Sequence, residues 1–317
     1  MKRDATSTPL IVGDIDDPHV QSVRAALISR DAAPVILDLN TVMSAGLTIF
    51  EDRAVVSIDG EWIETSRLRS GWLRRMHRAQ WGLGVETGTV EALELGTWHS
   101  AYSWMLDDAE IQWVTSPRNL RKAEGKIDQW RAARQLGVDY PHTMLTTSAQ
   151  AVRSEYQCEV IVKPLGSGQF LDGTQMKTVY AESMLPTDPR LENLGKAPFI
   201  VQERIKAKRH WRVVTVGAQV WAGVLPVEPG DPADWRRTAE NHTSFEEQGD
   251  VNADIANGAI AVAGHFELGY SSQDWVETSE GRTVLLDVNP SGQWLFLPER
   301  VGEEVAMALA DRIAGAI

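Results

Sequence analysis

One run near the C-terminus constrains the fold more than any other: VLLDVNPSGQW, residues 284–294. It opens as an apolar strand, then carries an Asp and an Asn two residues apart, and stops at Pro-Ser-Gly. Strands disfavour both residue types, so something must compensate for placing them there. The preceding run, SQDWVETSEGRT, supplies the partner strand of a hairpin. With Glu280-Gly281 as a two-residue loop, Ser279 pairs with Arg282 and Asp274 falls opposite Asp287. Opposed side chains have Cβ atoms ~4.5–5.5 Å apart, and like charges so placed repel. Asn289 points to the same face as Asp287. Two carboxylates and one amide oxygen on one patch suit a hard divalent cation such as Mg²⁺, which would remove the repulsion. A solvated hairpin face with two exposed acids is the other reading.

The rest of the 317-residue chain is long enough for two or three subdomains with their own cores. No apolar run approaches the ~20 residues that span a bilayer. The N-terminus, MKRDATSTP, has no apolar stretch of the secretory kind. The single cysteine, Cys158, has no disulfide partner and reads as an inert strand thiol in CEVIVKP. The seven histidines show no zinc spacing. These features predict a cytoplasmic protein with no membrane partner. The net charge of −13 argues against nucleic acid as a partner, so a nucleotide would be held by a few placed cations and a metal. The twelve tryptophans read as packing residues.

Residues 9–40 predict a β-α-β unit: a strand at 10–12, a helix opening at Pro18 with Val20, Val23 and Leu27 inward, and a strand at 35–39. Its turn, GDIDDP, lacks the glycine spacing of a dinucleotide site. GLGVETG (residues 82–88) comes closer but follows no apolar strand, and no Walker-type loop occurs. Short strands are expected over 50–74, with a hairpin at Asp59-Gly60. A helix is expected over 90–107, and a strand ending at Pro117 marks the first boundary. Residues 118–137 read as one helix capped by Gly137. Strands follow in CEVIVKP, APFIVQERI and the pair around Gly217, then a helix over 250–267 and a closing amphipathic helix with Val301, Val305, Leu309 and Ile313 on one side.

Several cations sit where phosphate chemistry could use them. Lys163 ends a strand before the glycine-rich LGSGQ, where backbone N–H groups can approach phosphates closely. QERI (residues 202–205) leaves a strand and can offer a C=O and an N–H to an adenine edge. Arg212 interrupts the apolar pattern of HWRVVTV and can clamp a phosphoryl group. Taken singly, each also suits an ordinary solvated strand end.

Their order is more specific: Lys126, Lys163, the QER hinge, Arg212, then Asp274, Asp287 and Asn289. This order resembles the ATP-grasp superfamily over nearly the whole chain. Four stretches, DDPHVQSVRAAL, WLRR (residues 72–75), DWRR (234–237) and NPSGQW (289–294), resemble one branch, the microviridin-type macrocyclases that make graspetides. The resemblance implies a mixed α/β and α+β fold: a Rossmann-like N-terminal domain over 1–117 and two ATP-grasp subdomains over 118–198 and 199–317. It implies ATP and Mg²⁺ as cofactors and a ribosomally synthesised precursor peptide as partner, in a homodimer. Carried over by position, Lys126 and Lys163 match the phosphate lysines, and Gln202, Glu203 and Ile205 the adenine hinge. Arg212 matches the arginine that steadies an acyl-phosphate, Arg236 a position facing the acidic peptide side chain, and Asp274, Asp287 and Asn289 the magnesium ligands. Three departures stand out: Asp287 is shorter than the usual Glu, Ser291 replaces a second Asn, and KAK follows the hinge where relatives place an acid for the ribose. The reaction implied is side-chain ester or amide formation through an acyl-phosphate. A different ATP-grasp ligase acting on amino acids or protein glutamates, or a non-catalytic nucleotide-binding module, would share most of these residues.

Overall fold

The computed structural model describes residues 8–41, 46–75, 84–108, 110–166, 168–249 and 251–315. The polar stretch 1–7 and the first two residues of GLGVETG lie outside them. In chain order the first part contains β1 (Pro9–Gly13), α1 (Pro18–Ile28), β2 (Val35–Asp38), the short strands β3 (Leu47–Ile49), β4 (Ala54–Ile58) and β5 (Glu61–Glu64), then β6 (Ser70–Leu73), α2 (Val90–Asp108) and β7 (Gln112–Trp113). The order β2-β1-β6-β7 forms a parallel sheet. β1 is apolar along its length and fully buried, as a strand covered on both faces should be. Leu10 and Val12 pack with β4 and α2 on one face, and Ile11 packs with α1 and the C-terminal helix on the other. The expected hairpin at Asp59-Gly60 is present, with both residues at positive φ.

The predicted helix over 118–137 is two helices, α3 (Pro117–Glu124) and α4 (Lys126–Leu136), broken at Gly125. Gly125 takes an extended conformation (φ −66°, ψ 107°), which ends α3 and starts α4. The apolar periodicity runs through the break, so the pattern could not reveal it. The break makes Lys126 the first residue of a helix instead of a mid-helix side chain.

Next come β8 (Thr143–Thr146), α5 (Ala149–Glu155), β9 (Val160–Pro164), an exposed hairpin β10–β11 (Gln169–Asp172, Gln175–Thr178), β12 (Glu182–Met184) and β13 (Phe199–Glu203). The order β12-β9-β13-β8 is an antiparallel sheet over a core that includes Val152, Val162, Leu191 and Val201. Cys158 is not in β9 as expected. It lies exposed in the bend before it.

The last sheet has the order β16-β15-β14-β17-β18, from β14 (Arg209–Val216), β15 (Gln219–Pro226), β16 (Glu246–Glu247), β17 (Tyr270–Glu277) and β18 (Thr283–Asn289). On β14, Trp211 and Val213 face α4 and α6 (Ala253–His265). Val214 and Val216 face α7 (Glu299–Gly315) and the N-terminal sheet. Strand alternation therefore turns His210 and Arg212 away from the α4–α6 core. Val301, Val305, Leu309 and Ile313 of α7 are buried as the sequence spacing predicts. Among the described residues no helix is long and apolar enough to cross a membrane.

Candidate active site

The β17–β18 hairpin sets Asp274 opposite Asp287, the expected pair, by a different route. Its loop has three residues, Ser279–Gly281, closed by Thr278 N–H on Arg282 O at 2.9 Å. Gly281 sits at φ +82°, the left-handed position that a three-residue hairpin loop requires. This shifts the register by one. An extra residue of β18, Leu286, bulges opposite the Asp274–Trp275 step and restores it.

Arg212 on β14 stands directly opposite Asp274, so one row of side chains runs Arg212, Asp274, Asp287 across three strands. Arg212 Nη1 donates to Asp274 Oδ1 at 2.9 Å, and its Nη2 donates to the Gln293 carbonyl at 3.1 Å. Asp287 Oδ1 accepts from Lys126 Nζ at the start of α4. The repulsion expected between the two acids is thus already offset by one protein cation on each. Burial alone would raise the Asp287 pKa, but Lys126, Lys163 and Arg236 hold it below the usual carboxylate range. Asn289 continues the same face, and its Oδ1 accepts from Ser291 N–H at 3.1 Å within the Asn289–Gly292 turn. Among the described residues no three His, Cys, Asp or Glu side chains gather as a metal group, so the candidate cation set is two carboxylates and an amide.

Eight of the ten residues singled out in the sequence line one cavity of about 820 Å³ between the second and third sheets. They are Lys126, Lys163, Gln202, Glu203, Ile205, Arg236, Asp274 and Asp287. The volume suits a nucleotide-sized ligand. Arg212 and Asn289 are not on its wall. Arg212 lies buried behind Asp274 and Gln293.

Local structure explains each placement. Lys163 is the penultimate residue of β9, opposite Ile200, and enclosure lowers its pKa, with Asp287 opposing that shift and Lys126 and Arg236 adding to it. At the end of β13, Glu203 N–H is committed to His142 O and Arg204 N–H to Glu159 O. Ile205 N–H has no protein acceptor among the described residues, and Ile205 lines the cavity. The Gln202 side chain donates to Thr143 Oγ1 at 2.9 Å, so it braces the hinge from behind. Arg236 lies in a short 3-10 helix, Trp235–Arg237, between β15 and β16, and is gripped by Asp234 through Nε and Nη2, both at 2.8 Å. That pairing raises the guanidinium pKa further.

Sequence reasoning missed three contributors. Gln129, one turn after Lys126, is fully buried and donates to Ala123 O and Val288 O while accepting from Val288 N–H. It clamps the residue between Asp287 and Asn289 to the α3–α4 junction. His210 lines the cavity two residues before Arg212, with its pKa lowered by burial; the i, i+2 spacing was the available signal. The third is the set of N-terminal side chains that hold the 291–295 segment. Arg74 donates to Ser291 O, and His19 Nε2 accepts from Trp294 N–H at 3.1 Å.

No protein-family model and no curated protein matches this sequence. Solved structures do. The macrocyclase MdnC from Microcystis aeruginosa, bound with the precursor peptide MdnA, superposes at a TM-score of 0.82 with 20% identity, over 98% of this chain and 100% of that one. A RiPP-associated ATP-grasp ligase from Chryseobacterium gregarium, in complex with ADP and a leader and core peptide, gives 0.84 at 15% identity over 98% and 97%. The ATP-grasp ligase PsnB, complexed with a minimal precursor, Mg and ADP, gives 0.72 at 22% over 97% of each. The chain has the ATP-grasp fold.

Proposed function

We propose that this protein is an ATP-dependent ligase that closes side-chain rings in a ribosomally made precursor peptide. The observation that carries the reading is the cavity that gathers three cations, Lys126, Lys163 and Arg236, around the facing acids Asp274 and Asp287. The fold's neighbours include enzymes solved with precursor peptides and with ADP and Mg.

The donor set fits a hard cation. Among the described residues Asp274 and Asp287 each commit only Oδ1 to a protein cation, and Asn289 Oδ1 accepts one N–H, so oxygen lone pairs remain on all three. Mg²⁺ held there would spread the charge of the phosphates. Lys126 and Lys163 hold the ATP phosphates, and the hinge from Gln202 to Ile205 takes the adenine. Arg236, fixed by Asp234, receives the acidic side chain of the peptide.

The chemistry needs no protein nucleophile. A peptide Asp or Glu carboxylate attacks the γ-phosphorus, a P–O bond forms, and the bond to ADP breaks. A Thr or Ser hydroxyl or a Lys amine of the same peptide then attacks the acyl carbon. Phosphate leaves with one oxygen of the former carboxylate, and the nucleophile loses its proton. Arg212 stabilises the charge that develops, exchanging Asp274 for the acyl-phosphate oxygen. The work is positioning and charge stabilisation.

In this reading 1–117, 118–198 and 199–317 are the three units, and the enzyme acts in the cytoplasm as a homodimer. The test is intact mass. With ATP, Mg²⁺ and an acidic precursor containing Thr, Ser or Lys, the peptide should lose one water per ring while ADP is released. An unchanged peptide mass with continuing consumption of a free amino acid would point to another ATP-grasp ligase.

A further inference from the structure

From within the Asn289–Gly292 turn onward, five consecutive residues, 291–295, each have one backbone group held by a side chain far away in the chain. Ser291 O accepts from Arg74, Gly292 O from the Tyr270 hydroxyl at 2.8 Å, and Gln293 O from Arg212 at 3.1 Å. Trp294 N–H and Leu295 N–H both donate to His19 Nε2, at 3.1 and 3.3 Å. Two donors on Nε2 leave the imidazole proton on Nδ1, which donates to Asp17 Oδ1 at 2.8 Å. Asp17 Oδ2 pairs with Arg74 Nε at 2.9 Å. Arg74 and Trp294 are fully buried, and the Trp294 ring meets His19 edge-on at 4.4 Å.

We infer that His19, set by Asp17, is a positioning residue for Arg212: it fixes the segment whose Gln293 carbonyl aims the guanidinium. The kinetic consequence rests on the ligase reading. The N-terminal unit is then part of the catalytic scaffold, because the arginine's anchor is held from β6 and the start of α1.

The tie needs a neutral imidazole. A protonated ring carries N–H on both nitrogens, so Trp294 and Leu295 lose their acceptor. The charged groups facing it are Asp17 from the loop before α1 and Arg74 and Arg75 from the end of β6. Burial pushes the His19 pKa below its ordinary value, Arg74 and Arg75 add to this, and Asp17 opposes it. A His with a lowered folded pKa contributes its stabilisation fully above the ordinary value and loses it as pH falls through the folded one.

The experiment is a double-mutant cycle on ring formation. His19→Leu should lower kcat by about 10²-fold with KM for ATP little changed, the loss expected from a misplaced group. His19→Gln, which keeps an acceptor and does not titrate, should recover most of it and lose the acid limb of the wild-type pH profile. In an Arg212→Lys background, His19→Leu should cost no more than about twofold, because coupled residues are not additive. Equal losses in both backgrounds, or a Gln variant as poor as Leu, would overturn the inference. If His19→Leu does not fold, nitrogen NMR of the wild-type imidazole decides. The Nδ1–H tautomer, uncharged well below the ordinary histidine range, supports the tie, and ordinary titration refutes it. Wild-type turnover is measured first. Its absence sinks the ligase reading, and the imidazole spectrum then judges the tie alone.

Discussion

Arg212 lies directly opposite Asp274 on adjacent antiparallel strands, with Nη1 2.9 Å from Oδ1. The same guanidinium holds the Gln293 carbonyl, so one side chain joins an acid of the candidate metal set to the NPSGQW turn. Arg212→Ala should therefore lower kcat/KM by about 10²–10³-fold, the usual cost of removing a group aimed at developing charge. Steady-state ADP release with the precursor checks it. Loss of less than tenfold would place Arg212 outside the chemistry.

The acids are neutralised without a metal. Arg212 pairs with Asp274 and Lys126 with Asp287. Chelation of divalent ions should abolish turnover, restored by Mg²⁺, while leaving Tm within a few degrees of its original value. A large fall in Tm on chelation would mean that the metal, not the two cations, holds the acids together.

Gly292 has no room for a side chain. A Cβ there would lie 2.5 Å from Ser272 Cβ and 2.8 Å from Arg212 Nη2. Gly292→Ala should cost about 1–3 kcal/mol of stability, as overpacking does, and lower turnover with it. Ser272→Gly in the same chain should recover part of both. Denaturant unfolding and turnover of the pair test this, and no recovery would locate the strain elsewhere.

Gln129 satisfies both polar backbone groups of Val288 and the carbonyl of Ala123. Gln129→Leu leaves these buried groups unpaired and should destabilise the fold by about 2–4 kcal/mol. The Mg²⁺ concentration needed for half-maximal rate should rise, because Asp287 and Asn289 flank Val288. A stability loss with unchanged Mg²⁺ dependence would make the clamp structural only.

Asp17 supplies an acid-side signature. Burial would raise its pKa, but the hydrogen bond from His19 and the charge of Arg74 hold it down, from 3.8 to about 2. A depressed carboxylate stabilises the fold above its unfolded pKa and loses that contribution as pH falls through the folded one. The contribution is on the order of 2 kcal/mol. Unfolding free energy should therefore drop between pH 3.8 and about 2, and Asp17→Asn should flatten that limb.

Much of the site was legible because strand parity survives small errors. The Asp274–Asp287 pairing follows from a two-residue loop and also from a three-residue loop plus the Leu286 bulge, since the two offsets cancel. Cavity residues such as Lys163 and Glu203 could be placed because glycine-rich turns and strand ends mark them. The Arg212–Asp274 pairing was not legible, because no turn joins β14 to β17 and so nothing local sets their register. Nor was the break at Gly125, where apolar spacing continues across the interruption. The stretches DDPH, WLRR and NPSGQW stood out separately in the sequence. Their junction through Asp17, His19, Arg74 and Trp294 spans up to 275 residues and needs the folded chain to be seen.

Activation of a peptide carboxylate by phosphoryl transfer in this cavity is tested most directly by following a heavy oxygen isotope placed in the precursor's Asp and Glu side chains. Ring formation by the wild-type protein with ATP and Mg²⁺ should release inorganic phosphate carrying one labelled oxygen per ring, with the other kept in the new ester or amide carbonyl. Rings formed with unlabelled phosphate would contradict the acyl-phosphate route and the roles assigned to Lys126, Lys163 and Arg212.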